Sequence, residues 1–411
     1  MQAIFFLSIL IILDLYAIQT LRVALRHQQR TRRWAYGLYA VFSLLVYVGL
    51  VLTGFKFVIL DRWDEALFRN IFFAFFLTKF IWSVLLLIDD LRRLALWLAR
   101  KIARFFEPKE RFEGQAIPRS EFLAKTGLAL TAFPAIATTY GMVVGAHDYR
   151  VREVALRLPH LPRQLDGLRI VQLSDIHSGS FFNKTAVRRG IELIGNQKAD
   201  MVFFTGDLVN NRAREMTDYF EVFNKISAPL GVYSVLGNHD YGTYYRWKTK
   251  KDSEQNFRDM LELHQRLGWK LLRNQNDILT IDGEQLAILG VENWSANPRF
   301  ISPGDLKKTY AGSQDAAIRL LLSHDPSHWR AQVLDYPDID LMLAGHTHGM
   351  QFGVEVGDVR WSPVQMVYPE WAGLYNQNGQ YLYVNRGFGY IGLPGRIGIP
   401  PEITVITLTK A

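Results

Sequence analysis

The sequence predicts a chain in two parts: an all-α apolar bundle of about four helices over residues 1–150, then an α/β domain over residues 151–411. Three observations point there. Four long apolar stretches crowd the first third of the chain. The remainder alternates short Val/Ile/Leu runs with stretches of helical period. The charge divides at the same place: residues 1–150 carry 19 Lys+Arg against 11 Asp+Glu, giving +8, whereas residues 151–411 carry 28 of each. A domain with no basic excess lacks the electrostatic footprint of a nucleic-acid binder. The chain contains no cysteine, so neither a disulfide framework nor a thiolate metal site is available.

The apolar stretches are about 4–21, 34–60, 71–88 and 121–145. Each reaches or approaches the ~20 residues that cross a bilayer as a helix. A soluble bundle would show a polar stripe along each helix, and these barely do. Residues 22–33 hold five arginines and no acid, and residues 89–119 hold eight basic residues against five acidic ones. Within the latter, "DDLRRLALWLARKIARFF" has the pattern of an amphipathic helix lying on a membrane surface. The positive-inside rule makes these two loops cytoplasmic, so everything after the fourth span faces outward. The expected location is the cytoplasmic (inner) membrane, multi-pass. "PRSEFLAKTGLAL" resembles a twin-arginine export signal, but only Arg119 stands where a pair is required, so a retained helix is expected. Asp14 and Lys79 both fall near mid-membrane, where charges are costly and paired; an ion pair between them is expected, with a proton path as the functional alternative. Lys56 and Lys125 lie near span ends and can snorkel.

After Arg150, the runs 168–174, 201–205, 232–236, 286–291, 318–323 and 340–344 read as strands buried on both faces, and 380–387 and 402–409 as closing strands. Segments 184–197, 214–226 and 253–268 read as helices between them. Polar residues gather where strands end: "SDIH" after the first, "TGDL" after the second, "GNHD" after the third, "SHDP" after the fifth and "GHTH" after the sixth. Five of the ten histidines (His177, His239, His324, His346, His348) sit there. In α/β sheets ligands bind beyond the carboxyl ends of strands. Asp175, His177, Asp207, Asn238, His324, His346 and His348 are all oxygen or nitrogen donors, which suits divalent transition metals rather than calcium. Seven ligands exceed one tetrahedral site but suit two ions sharing a carboxylate, an arrangement that clamps an in-line displacement at phosphorus.

The ordered series D-x-H, G-D, G-N-H-D, H and G-H-x-H resembles the calcineurin-like metallophosphoesterases over roughly 165–411, and the tail "VNRGFGYIGLPGRIGIPPEITVITL" resembles the bacterial subgroup with N-terminal membrane segments. That resemblance implies a four-layer α/β/β/α sandwich. It further implies that Asp175, His177 and His348 bind one metal, that Asn238, His324 and His346 bind the second, and that Asp207 bridges (Mn, Fe or Zn). His239 would protonate the leaving alkoxide after attack by a metal-bridged hydroxide, with Asp240 orienting its ring. The subgroup commonly has a second glycine where this chain has Met350.

The implied activity is hydrolysis of a phosphate ester or pyrophosphate by a membrane-anchored enzyme, with lipid-linked substrates natural for a tethered domain. Alternatives are a broad phosphodiesterase on soluble substrates, a hydrolase of the UDP-diacylglucosamine type, and a receptor or scaffold with an inactive phosphatase fold. The last is disfavoured because no ligand is missing. His328 reads as a loop residue. Arg386 and Arg396 suit either a phosphate or a structural ion pair. "YGTYYRWKTKK" (241–251) suits either a lid or a solvated insert.

Overall fold

A computed structural model describes residues 2–54, 62–103, 118–357 and 359–410. The chain divides into two compact units, 1–139 and 140–411.

The first unit is helical. α1 (Gln2–Ala17) runs almost directly into α2 (Gln19–Ala24), because the Ile18 amide still donates to the Asp14 carbonyl at 2.9 Å. α3 (Gln29–Gly54) and α4 (Arg62–Ala103) follow. Among the described residues, three stretches are long and apolar enough to cross a membrane: Gln29–Thr53, Asp64–Ile102 and Glu121–His147. The expected third span and the amphipathic stretch after it form one helix of 42 residues. No Gly or Pro occurs between 62 and 103, so nothing interrupts the backbone ladder. The end of the expected second span (55–60), Lys56 and the last residues of the amphipathic stretch (104–106) lie outside the described residues.

The expected fourth span is broken into α5 (Glu121–Ala129) and α6 (Ala132–Val143). Pro134 explains the break. It has no N–H to offer the carbonyl of Leu130, four residues back, and its ring would collide with that carbonyl. The Leu130 carbonyl takes the Phe133 amide at 3.1 Å instead.

The Asp14–Lys79 pair is made. Lys79 Nζ lies 3.0 Å from Asp14 Oδ1, and both side chains are buried or nearly so. Tyr39 and Tyr47 on α3 donate their hydroxyls to the same carboxylate, and the ammonium lies 4.1 Å from the Phe75 ring centroid. A second polar knot surrounds the middle of α4. Asp89 accepts the Ser120 amide at 2.9 Å, and Asp90 accepts Arg119 at 2.9 Å and the Tyr16 hydroxyl at 3.0 Å. Ser120 also caps α5, accepting the Leu123 amide.

The second unit contains two six-stranded sheets. The first has the order β1 (Arg150–Leu158), β14 (Glu402–Lys410), β2 (Arg169–Leu173), β3 (Met201–Phe204), β4 (Val232–Ser234) and β5 (Lys270–Leu271). The second has the order β12 (Gly373–Gln377), β13 (Gln380–Val384), β9 (Leu341–Ala344), β8 (Ile318–Leu322), β7 (Glu284–Gly290) and β6 (Gln275–Ile281). A separate hairpin joins β10 (Val354–Val356) to β11 (Val359–Trp361).

The sheets face one another across a core that takes Ile170, Phe203 and Ile406 from the first and Leu286, Leu320 and Leu343 from the second. On the other face of the first sheet, Val171, Val202 and Phe204 pack with α7 (Lys184–Asn196), α8 (Phe220–Phe223) and α9 (Lys250–Arg266). The second sheet turns Leu289, Leu321 and Met342 outward against α10 (Leu306–Tyr310) and α11 (Ser327–Ala331). The result is four layers, α/β/β/α. The helix expected over 214–226 shrinks to the single turn α8, preceded by a 3₁₀ turn.

Candidate metal centre

Strands β2, β3 and β4 of one sheet run parallel, as do β8 and β9 of the other. Their carboxyl ends meet at one edge of the sandwich, which gathers residues from widely separated parts of the chain. Asp175 and His177 follow β2, Asp207 follows β3, and Asn238, His239 and Asp240 follow β4. His324 follows β8, and His346 with His348 follow β9.

The backbone leaves each strand abruptly. Asp175, His177, Asp207, His346 and His348 all adopt positive φ, between 47° and 68°. Such conformations cost non-glycine residues roughly 1–2 kcal/mol each, and strain of this kind clusters at functional sites. Gly345 makes one turn possible, since a Cβ there would fall 2.2 Å from Asp175 Oδ2. Met350 stands at φ 55° with its side chain exposed, so the left-handed turn survives without glycine.

Two groups of donor atoms form. Asp175, His177 and His348 offer atoms within 4.8 Å of one another, and so do Asp207, His324 and His346. In the first group His177 Nε2 and His348 Nε2 face each other at 3.0 Å, with Asp175 Oδ1 3.2 Å from the latter. In the second, His346 Nδ1 faces His324 Nε2 at 3.3 Å, and Asp207 Oδ2 lies 3.2 Å from His324 Nε2. The same Asp207 oxygen is 3.5 Å from His177 Nε2, so it stands between the groups.

Two neutral imidazole nitrogens facing each other repel unless a proton or a cation lies between them. The Oδ1 of Asn238 is buried without a hydrogen-bond partner, while its Nδ2 donates to the Tyr244 hydroxyl at 2.9 Å. An uncommitted amide oxygen, converging imidazoles and two buried carboxylates form a donor set that fits divalent cations.

The electrostatics agree. Burial opposes charge on Asp175 and Asp207, yet His348 beside the former and His324 beside the latter hold both carboxyls below the usual range. Burial likewise opposes charge on His324, but Asp207 and Asp175 outweigh it and push the imidazole up to about 10. His177 and His346 are pushed down by burial. The acidic groups thus require positive charge in their midst, from protons or from metal.

Asp240 makes no hydrogen bond to the His239 ring. Its carboxylate accepts the backbone amides of Gly237 (2.9 Å), Asp207 (2.9 Å) and Leu208 (2.8 Å), clamping two strand ends together. Burial and then Asp207 push its carboxyl up to about 7. The His239 ring is held instead by the Asn210 carbonyl, 2.7 Å from Nδ1. A carbonyl can only accept, so Nδ1 carries the hydrogen and Nε2 is left uncommitted. The ring packs edge-on to His177 and against Tyr244, at centroid distances of 5.0 and 4.6 Å. Tyr244 therefore brings the 241–251 segment to the site.

Arg386 pairs with Glu402 at 2.6 Å and Glu355 at 3.0 Å, a structural role. Arg396 is fully buried, donating to the Gly389 and Arg386 carbonyls and approaching His348 Nδ1 at 3.3 Å. His328 is buried on α11, with Nδ1 2.9 Å from Ser323 Oγ. Sequence reasoning missed Asp325 and Tyr368, which hold the far side of His346: its Nε2 lies 2.9 Å from the Tyr368 hydroxyl and 3.6 Å from Asp325 Oδ2. Asp325 adjoins a flagged histidine and could have been suspected; nothing in the sequence marks Tyr368.

Residues 168–350 match the family model described as calcineurin-like phosphoesterase, and residues 1–146 match its companion, probable calcineurin-like phosphoesterase, transmembrane domain. An uncharacterized metallophosphoesterase, YkuE, from Bacillus subtilis (strain 168) is 31% identical over 274 residues, covering 66% of this chain and 88% of that protein. The chain belongs to the calcineurin-like phosphoesterases. It is also similar to a transmembrane protein with metallophosphoesterase domain from Danio rerio, 30% identical over 310 residues, covering 74% of this chain and 67% of that protein. This calcineurin-like phosphoesterase is thus a membrane protein and a phosphoester hydrolase whose His/Asp groups are compatible with metal binding.

Proposed function

We propose that the protein is a membrane-anchored phosphoesterase working with two divalent transition metal ions. One would be held by Asp175, His177 and His348, the other by Asn238, His324 and His346, with Asp207 shared. The observation that carries this reading is the position of Asp207 Oδ2, within 3.5 Å of a histidine nitrogen from each group. Ions at these positions would supply Lewis-acid stabilisation of phosphate oxygens and lower the pKa of an attacking water.

The chain's own residues do the rest. Asp240 fixes the Asp207 backbone, and through it the spacing of the two groups. As the imidazolium, with its Nδ1–H held by the Asn210 carbonyl, His239 would give its Nε2 proton to the leaving alkoxide and be left as the neutral Nδ1–H ring. A positioned imidazole contributes typically ~10²–10⁴-fold as a general acid. These Asp, Asn and His side chains are almost wholly buried, which strengthens each charge interaction among them.

The substrate we favour is a phosphate ester or pyrophosphate carried on a lipid, because the helical unit keeps the domain at a bilayer. Soluble diesters are the second reading. The arginine-rich 22–33 segment supports a domain outside the cytoplasmic membrane. A panel of monoesters, diesters and lipid pyrophosphates, assayed on detergent-purified protein with metal analysis, tests the whole reading. Asp207→Ala and His348→Ala should abolish hydrolysis and lower bound metal; full activity in either variant sinks the two-metal assignment.

A further inference from the structure

The hairpin of β10 and β11 has its polarity inverted. In its register Val354 pairs with Trp361, Glu355 with Arg360, and Val356 with Val359. Side chains alternate along a strand, so Val354, Val356, Val359 and Trp361 share one face and Glu355 and Arg360 the other. Of the charged face, Glu355 turns inward, and Arg360, itself exposed, reaches back to the domain with its guanidinium. Glu355 accepts Arg152 at 2.7 Å and Arg386 at 3.0 Å, while Arg360 donates to the Ala372 carbonyl at 2.7 Å.

The apolar face turns outward: Val356 is 71% exposed, Val359 68%, Val354 49% and Trp361 45%. The segment after it also exposes apolar side chains, Met366 at 86% and Val367 at 71%. Four exposed apolar side chains on one hairpin face mark an interaction surface.

Two hydrogen-bonded steps connect the hairpin to a membrane helix. The Gly353 amide donates to the Ile397 carbonyl at 2.9 Å, and the neighbouring Arg396 amide donates to the Gly141 carbonyl at 3.1 Å. Gly141 lies on α6, within the membrane-competent stretch Glu121–His147. The approach is close, since a Cβ on Gly141 would meet Ile397 Cγ1 at 2.8 Å. The chain between hairpin and catalytic cluster is equally short. Ser362, next to Trp361, donates to the Gly349 carbonyl at 2.7 Å, and Tyr368 reaches His346.

We propose that the outward face of this hairpin lies in the headgroup–acyl boundary of the bilayer, so that the metal centre opens at the membrane surface. Valines facing the acyl region beside an interfacial tryptophan suit that layer. The inference rests on the membrane-spanning reading of α6 and specifies which surface of the catalytic unit meets lipid. A catalytic cluster in that position takes phosphoesters whose apolar part stays in the bilayer.

The absence of cysteine allows single labels. Val356→Cys, Lys225→Cys (an exposed polar position) and Ile136→Cys (exposed on α6) would each carry an environment-sensitive fluorophore. The full chain is reconstituted into vesicles of phosphatidylethanolamine and phosphatidylglycerol, with and without lipids carrying a quencher near the headgroup. Hydrolysis by each variant confirms folding. The expected result is blue-shifted, quenchable emission at 356, as at 136, and unshifted, unquenched emission at 225. Emission at 356 that matches 225 overturns the docking face while a quenched 136 leaves the membrane anchor intact. An unquenched 136 removes the anchor and the proposal with it. Disulfide crosslinking between 356 positions of two copies, without lipid quenching, assigns the face to self-association and also overturns it.

Discussion

The Tyr368 hydroxyl lies 2.9 Å from His346 Nε2 and 3.3 Å from Asp325 Oδ2, so a tyrosine outside every recognisable motif orients an imidazole of the proposed metal centre. Partners of this kind typically hold ~10–100-fold in metal affinity or activity. Tyr368→Phe should weaken binding of one ion by about tenfold while leaving the fold intact. Metal titration followed by elemental analysis reads this directly; undiminished occupancy at limiting metal would show that His346 needs no such support.

Asp240 is a structural clamp before it is anything else. Asp240→Ala leaves the amides of Gly237, Asp207 and Leu208 without their acceptor. Each buried unsatisfied group costs about 1–3 kcal/mol, so the denaturation midpoint and the activity should fall together. Were Asp240 needed only to orient His239, activity would fall with the midpoint unchanged.

The membrane pair lends itself to a double-mutant cycle. Lys79→Met leaves the Asp14 carboxylate unpaired between Tyr39 and Tyr47, and breaking a buried pair in this way costs about 3–5 kcal/mol. Asp14→Asn combined with Lys79→Met should recover most of that loss. Thermal unfolding in detergent is the readout, and simple additivity of the two single variants would argue against direct pairing.

His264 sets a pH dependence remote from the metal centre. Its Nδ1 lies 3.0 Å from Ser234 Oγ, and burial pushes the imidazole down to about 3. In the unfolded chain it titrates near 6.5. Between those values the unfolded state binds a proton that the folded state refuses, so stability falls as pH drops from about 6.5 towards 3, by up to about 1.4 kcal/mol per unit. Above pH 6.5 this group contributes no slope. His264→Gln should flatten the fall in urea midpoint across that window, and an identical pH profile would rule the group out.

Orientation is open to chemical labelling. Arg30→Cys and Lys250→Cys should react with a membrane-impermeant maleimide from opposite sides of oriented vesicles. Labelling of both from one side would place the catalytic unit with the arginine-rich loop.

How much was legible in the sequence depended on burial. Of the eight central strands of the two sheets, β2, β3, β4, β7, β8 and β9 read as short apolar runs buried on both faces, and β13 and β14 as closing strands. The four edge strands went unseen. β1, for example, alternates charge and aliphatic as "RVREVALRL", and β6 as "QNDILTI", because half of each edge strand meets water. The α5–α6 break was encoded at Pro134 but masked by an otherwise unbroken apolar stretch.

By itself, the sequence determined which residues gather at the strand ends, Asp175, His177 and His348 in one group and Asp207, His324 and His346 in the other, because each follows a buried strand, where pattern and motif coincide. It also determined that Asp14 and Lys79 need partners, since low dielectric tolerates no lone charge. Tertiary structure alone decided that Asn210 rather than Asp240 holds His239, that Tyr368 reaches His346, and that the valines of the β10–β11 hairpin face outward while Glu355 turns in to Arg152 and Arg386. Those contacts join residues distant in the chain, and their geometry follows from how two sheets pack rather than from any local run of residues.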